Sequence, residues 1–376
     1  MVVVGGGLTG ASCALSFAAA GIDVVLLEAA AVGAGMTAGD AGLLREGFAG
    51  SVQAAISQHG VRTSRAAWET MRRGALDFAA ALKRYKVKCD LEPQDVITFA
   101  APGAEAGRLW RREYQARREA GIEGSWLSPA VVARETGLES AGGIRTRGTA
   151  IDPYRACLGL VDAAASRGAR VHERSAVRRI RASKRHVEVD TAGGTVRAES
   201  VVVATGSPIQ DLRGLRRHLR PEHVYGVVTD ALPAAIRRQV GGRRAILEPA
   251  AEPGRVVRWL AGDRAFVHGG RQAEVPERAR ERAVIQRTGQ LMYELSLLYP
   301  AISGVQPAAS WDGLDHQTAD GLPFLGPHRN YPRHLFAFGS SRHGAGLSWV
   351  AARLVLRHFQ EAPAAGDEAL GFSRIL

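Results

Sequence analysis

The sequence predicts an α/β fold, and three observations carry that expectation. The chain opens as strand, turn, helix, strand: the β-branched run Val2-Val3-Val4, a glycine-rich turn, small residues from Leu8 to Ala20, then the apolar run Ile22 to Leu27. A second buried run, Val201-Val202-Val203, followed by Ala204-Thr205-Gly206, returns far downstream. Between them, residues 85–140 alternate strand-like pieces such as Val96–Phe99 with an arginine-rich helix, an excursion into a second domain. With 376 residues the chain holds two domains and an ample core. Its 46% hydrophobic and 23% charged content is that of an ordinary globular protein.

Taken in order, the first turn is the most informative. Gly5, Gly7 and Gly10 occupy the glycine places of a G-x-G-x-x-G sequence, with Leu8 and Thr9 opening the helix. Gly5 makes the tight turn, Gly7 lets a pyrophosphate approach the backbone, and Gly10 lets the helix pack on the strand. The helix start offers free N–H groups and a positive dipole end. Glu28, at the end of the second strand, is placed to accept hydrogen bonds from a ribose. Together they predict a Rossmann-like dinucleotide site. Gly33 to Phe48 follows, too glycine-rich for a regular helix, and Thr37, Asp40 and Gly42 read as a loop whose backbone approaches something closely. Arg45 is a cation at its end. Residues 51–84 predict a long helix with Trp68, Met71, Leu76, Phe78 and Leu82 on its apolar face. Ile151-Asp152-Pro153 starts another helix, running to about Arg167, and a strand begins at Gly168–Val171. Val187–Val189 and Thr195–Arg197 predict a hairpin turning at Gly193-Gly194.

Charge and cysteines exclude more than they identify. The formal charge of +12 is almost wholly arginine, the lysines being Lys83, Lys86, Lys88 and Lys184. Arg108, Arg111, Arg112, Arg117 and Arg118, and then Arg213, Arg216, Arg217 and Arg220, read as solvated helix faces. The functional alternative is attraction to an acidic partner or peripheral contact with anionic membrane. No aromatic pattern accompanies the charge, so nucleic acid is not expected. Cys13, Cys89 and Cys157 are too few and scattered for a disulfide framework or a metal cluster, which points to a reducing cytoplasm. No apolar run reaches membrane-span length, and no leader-like pattern precedes the first strand. That strand begins at residue 2, which suggests further residues upstream.

Later motifs carry a resemblance. Trp311-Asp312-Gly313-Leu314, then Thr318-Ala319-Asp320-Gly321-Leu322-Pro323-Phe324-Leu325-Gly326, then the glycine-rich turn from Phe338 to Ser348 follow the opening GGGLTG, Glu28 and VVVATG in order. This series resembles the D-amino-acid oxidase, glycine oxidase and sarcosine oxidase (DadA-like) family of FAD-dependent oxidoreductases. The resemblance implies a discontinuous FAD-binding domain of residues 1–84, 141–222 and 306–376. Residues 85–140 and 223–305 then build a mostly antiparallel substrate domain. Val177, Thr205 and Gly206 join the expected cofactor-binding set, with Arg342, His343, Gly344, Ala345, Gly346 and Leu347 of the last turn. A helix starting near Gly346 would stabilise the negative edge of a reduced flavin.

Position by position, the resemblance implies a substrate site unlike either relative's. Arg45 stands where sarcosine oxidases grip a carboxylate, but their companion lysine falls at Gly346. Arg342 matches a glycine oxidase arginine, while the arginine expected after the W-x-G-L element is replaced by Asp315 and His316. Arg45 and Arg342 are therefore the expected anchors, and His316 and His343 the expected polar groups near the flavin. Asp315 also invites a cationic or amine-bearing substrate. Where relatives attach FAD covalently, this chain has Gly313 and Gly39, so noncovalent FAD is expected. No lysine follows Lys184, so the strand Val256 to Gly270 cannot supply the oxygen-activating lysine of sarcosine oxidases. Either histidine or arginine replaces it or oxygen is not the acceptor, which leans toward a dehydrogenase. The implied reaction is oxidation of a C–N bond in an amino acid or secondary amine, with O2, a quinone or a partner protein as electron acceptor. The alternatives are a subunit of a heteromeric amine dehydrogenase, a flavin domain acting on a modified nucleoside, and a non-catalytic flavin-binding protein.

Overall fold

A computed structural model describes residues 1–240, 242, 244–250 and 254–375, without the side chains of Gln210, Arg213, Ser341 and Ile375. The Arg213 side chain of the second arginine cluster, and positions 241, 243 and 251–253 of the expected substrate domain, thus lie outside the described residues.

The opening unit forms as its residues dictate. Val2–Val4 is a fully buried strand, Leu8–Ala19 a helix, and Val25–Leu27 the next strand. Gly5 turns the chain at φ +104°, and a Cβ on Gly10 would land on the Gly5 carbonyl oxygen, so helix and strand meet only because both positions are bare. Val2–Val4 pairs in parallel with Val25–Leu27 on one side and with Val201–Val203 on the other. Arg170–His172 and Tyr331–Phe338 extend this parallel sheet, and Phe324–His328 adds an antiparallel sixth strand. The helices Leu8–Ala19, Pro153–Ala165 and Gly346–Phe359 pack together with the long helix Val52–Arg84 around one large apolar core.

The long helix is broken at Gly60 (φ 77°, ψ 161°), which sets residues 52–59 apart from the rest. Its N-terminus is held by Ser51, whose hydroxyl caps Ala54 N, and by Glu113, which accepts from Val52 N at 2.8 Å and Gln53 N at 3.1 Å. Arg117 is not part of a solvated face as its sequence position suggests. It is buried, paired with Glu113 at 3.0 Å and stacked over Trp68, because its helix (Ala104–Glu119) lies against the long one.

A nine-stranded, mostly antiparallel sheet faces this unit. Its order runs Pro307–Thr318, Leu219–Thr229, Arg264–Ala273, Val256–Leu260, Ile246–Pro249, Glu92–Phe99, Gly143–Ala150 and Leu43–Arg45, with Ser125–Leu127 beside Gly143–Ala150. Only Ile246–Pro249 and Glu92–Phe99 run parallel. Leu43–Arg45, Gly143–Ala150 and Pro307–Thr318 hydrogen-bond into this larger sheet, although the sequence boundaries group them with the nucleotide-binding residues. One face of the sheet packs on the helix Glu277–Leu298 through Tyr225, Val227, Val267 and Leu291. By strand alternation the other face presents Trp311, Phe266, His268, Arg258 and Glu248 toward the first unit. The hairpin Val187–Asp190 and Thr195–Ala198 forms with Arg179–Ala182 as a separate three-stranded sheet. Among the described residues no helix is long and apolar enough to cross a membrane.

Candidate active site

A long cleft runs between the two units, and its walls are largely the residues that the sequence singles out. One end is lined by Gly5, Gly7, Leu8, Thr9, Glu28, Val177, Thr205 and Gly206. The Leu8–Ala19 helix starts there, and its N-cap residue Gly7 supplies no capping side chain, so the positive end of the helix opens on the cleft. Thr37 steadies that start by accepting from Leu8 N at 2.9 Å. Glu28 accepts from Gly6 N at 2.6 Å and Ala30 N at 2.8 Å, holding the turn while the carboxylate borders the cleft. A Cβ on Gly7 would point into this wall, 3.2 Å from the Thr37 hydroxyl.

The other end is lined by Thr37, Asp40, Asp315, His316, Gly344, Ala345 and Leu347. Here the helix Gly346–Phe359 begins, again with no side-chain cap. Burial pushes the Asp40 carboxyl up to about 6 despite a hydrogen bond from Gly42 N at 2.7 Å. Burial lowers His316. These two uncapped helix starts, one at each end of one cleft, suit a molecule carrying a pyrophosphate and an electron-accepting ring.

Five expected cofactor residues, Gly10, Gly42, Arg342, His343 and Gly346, do not line this cleft. Gly10 is spent on the helix–strand contact, and Gly42 (φ +64°) lets the chain pass the Ile151 carbonyl. Gly346 faces Ala75 of the long helix. His343 turns away into a second cavity, edge-on to Phe48, with Arg342 beside it. Burial drives His343 down to about 3, so its ring is neutral.

Arg45 requires a correction. Its two terminal nitrogens are both taken by Glu248, one at 2.5 Å, with both side chains buried. The edge of the guanidinium that would grip a substrate carboxylate already grips one. Sequence reasoning missed Glu248 because it lies 203 positions away and is brought over only by the sheet. The same holds for Arg271, which binds Asp315 at 2.7 Å, while Ser340 donates to the same Asp315 oxygen at 2.7 Å. Asp312 is held by Arg280 at 2.8 Å and His223 at 2.7 Å; burial alone would raise its carboxyl, but these hydrogen bonds keep it below the ordinary range. His268 is buried and pushed by burial down to about 3, near Arg271 and Asp315.

Fold and cleft are those of a dinucleotide-binding protein, with the cleft set between a parallel sheet and an antiparallel one. The chain belongs to the family described as FAD dependent oxidoreductase, which it matches over residues 1–357. It is 28% identical over 357 residues to the gamma-glutamylputrescine oxidoreductase of Escherichia coli (strain K12), covering 94% of this chain and 82% of that one. It is 27% identical over 368 residues to the glycine oxidase of Geobacillus kaustophilus (strain HTA426), covering 94% and 91%. A crystal structure of glycine oxidase from Geobacillus kaustophilus has the same fold, with a TM-score of 0.80 at 23% identity over 100% of this chain and 98% of that one.

Proposed function

We propose that the chain oxidises the C–N bond of an amino acid or secondary amine, with noncovalent FAD held in the long cleft. The observation that carries this reading is the cleft itself, with Glu28 and the first glycine turn at one end and the 344–347 turn at the other. When bound, FAD supplies the two-electron oxidation by accepting a hydride from the carbon next to nitrogen, and the resulting imine is hydrolysed by water. The residues of this chain bind and orient. Gly7 and the start of the Leu8–Ala19 helix receive the pyrophosphate, Glu28 the ribose, and the start of the Gly346–Phe359 helix the electron-rich edge of the ring. Arg342, on the wall of the second cavity, is the proposed carboxylate anchor, and Arg45 is engaged by Glu248. His316 and neutral His343 act as polar groups that position substrate without adding charge.

Noncovalent attachment is supported by the backbone at the two linkage positions. A Cβ on Gly313 would overlap the Met36 sulfur, and one on Gly39 would lie 2.6 Å from the Trp311 ring nitrogen. Neither place has room for a linking side chain. On a denaturing gel the flavin fluorescence should leave the protein band.

The direct test is anaerobic mixing of purified protein with amino acids and N-methyl amines while following the oxidised-flavin band near about 450 nm. Bleaching by one compound class identifies the substrate, and the rate of colour return in air separates O2 from a quinone or partner protein as acceptor. A protein that holds FAD but is bleached by no amine would overturn the reading in favour of a non-catalytic flavoprotein.

A further inference from the structure

The second cavity, of about 200 Å³, extends beyond the Arg342 and His343 that the proposed reaction uses. It continues the cleft. Asp315 and His316 line the cleft and the next residues, Gln317 and Thr318, line the cavity; Ser340 borders both. A group anchored near Arg342 therefore has room to extend into this cavity.

The walls define what would fit. Phe48, Trp68 and Leu322 supply apolar surface, and Ala55 leaves space where a longer side chain would fill it. Two polar atoms in the walls are buried with no hydrogen-bond partner, Ser64 Oγ and His343 Nδ1. Ser64 is 2% exposed and His343 6%. A helical serine ordinarily bonds back to the carbonyl four residues earlier, and for Ser64 that residue is Gly60, where the helix breaks. Leaving such atoms unpaired is unfavourable, so a ligand group that meets them recovers an interaction. His343 is neutral and the wall carboxylate Asp320 is already held by Arg374 at 2.7 Å, so these partners favour an uncharged group. A cavity of about 150 Å³ accepts benzene, so a volume of about 200 Å³ has room for a substituted ring.

We infer that the cavity is the side-chain subsite of the substrate, and that it takes a compact, uncharged, ring-sized side chain bearing a hydrogen-bonding group, as in a hydroxyphenyl amino acid. This rests on the proposed amine oxidation for its chemistry, but binding to the cavity does not depend on turnover. Ala55 on the segment 52–59 and Ser64 just beyond the Gly60 break are the specificity-determining positions.

The test separates binding from reaction. Acetate, 3-phenylpropanoate and 3-(4-hydroxyphenyl)propanoate, which have no amine to oxidise, are titrated into the FAD-loaded protein and followed by perturbation of the flavin band. The expected order is hydroxyphenyl, then phenyl, then acetate, with at least ten-fold between first and last. Ala55→Trp should weaken the hydroxyphenyl acid at least ten times more than acetate, and Ser64→Ala should remove the preference for hydroxyphenyl over phenyl. Anaerobic flavin reduction by glycine, phenylalanine and tyrosine, each enantiomer where one exists, should follow the same order. Equal affinity for the three acids, or equal losses for all of them in Ala55→Trp protein that retains FAD, overturns the subsite. Tight aromatic-acid binding without bleaching by any amine overturns the oxidation reading and leaves the subsite standing.

Discussion

At the scale of single residues, the telling observation is that buried charges beside the cleft are paired with one another. Arg45 with Glu248 and Arg271 with Asp315 are buried pairs on the sheet face nearest the first unit. Removing one member of such a pair strands the other in a dry environment, at about 3–5 kcal/mol. Glu248→Ala should therefore destabilise the protein by that amount in urea unfolding, and Arg45→Met with Glu248→Leu should recover most of it. A single-variant loss below about 1 kcal/mol would mean that water reaches the pair. The buried histidines give a pH prediction. His268 and His343 are both depressed to about 3, so between about pH 6.5 and 3 the unfolded chain takes up protons that the folded chain refuses. Stability is then fully present above about 6.5 and falls as the pH drops, by roughly 1.4 kcal/mol per pH unit for each histidine. His268→Gln should make the acid limb of a stability-versus-pH curve shallower. An unchanged limb would show that His268 is protonated in the folded state.

At the scale of elements, the two glycines of the first turn separate folding from binding. Gly10 faces the Gly5 carbonyl and Gly7 faces the cleft. Gly10→Ala should abolish soluble folded protein or cost several kcal/mol, because backbone would have to move. Gly7→Ala should fold and lose FAD affinity. Circular dichroism read beside FAD retention distinguishes the two, and equal behaviour would refute the division of labour. The packing role of Gly10 was legible in the sequence, since glycine spacing and β-branched runs are local signals. The strand Leu43–Arg45 was not: it lies in a glycine-rich stretch, and only pairing with Gly143–Ala150 makes it a strand. Glu248 and Arg271 were illegible for the same reason, because sheet register, which no local pattern encodes, sets their partners. His343 was legible as a residue of the last turn, but its direction, toward Phe48 and away from the cleft, depends on how the turn packs.

At the scale of the whole molecule, the cleft is also the seam between two separately packed cores, one around the parallel sheet's helices and one beneath the antiparallel sheet. Protein contacts across it include Ser340 donating to Asp315 at 2.7 Å and Ala345 N donating to the Leu43 carbonyl at 2.9 Å. Trp311 donates to the Gly39 carbonyl at 3.3 Å, and Arg258 reaches the Ala41 and Ile151 carbonyls. A cofactor lying along the seam touches both sides at once, Gly7 and Thr37 from one and Asp312 to His316 from the other. FAD should therefore act as a structural member, binding the assembled form and not the unfolded chain. Linkage then predicts a stabilisation that grows with free FAD, about 2.7 kcal/mol at one hundred times the dissociation constant. Protein stripped of flavin should melt at a lower temperature, with the two cores separating into distinct transitions. Added FAD should merge them and raise the midpoint in proportion to the logarithm of its concentration. The measurement is differential scanning calorimetry across a titration of FAD into stripped protein. A midpoint indifferent to FAD would mean that the seam is not where the cofactor binds, whatever the glycine turn suggests.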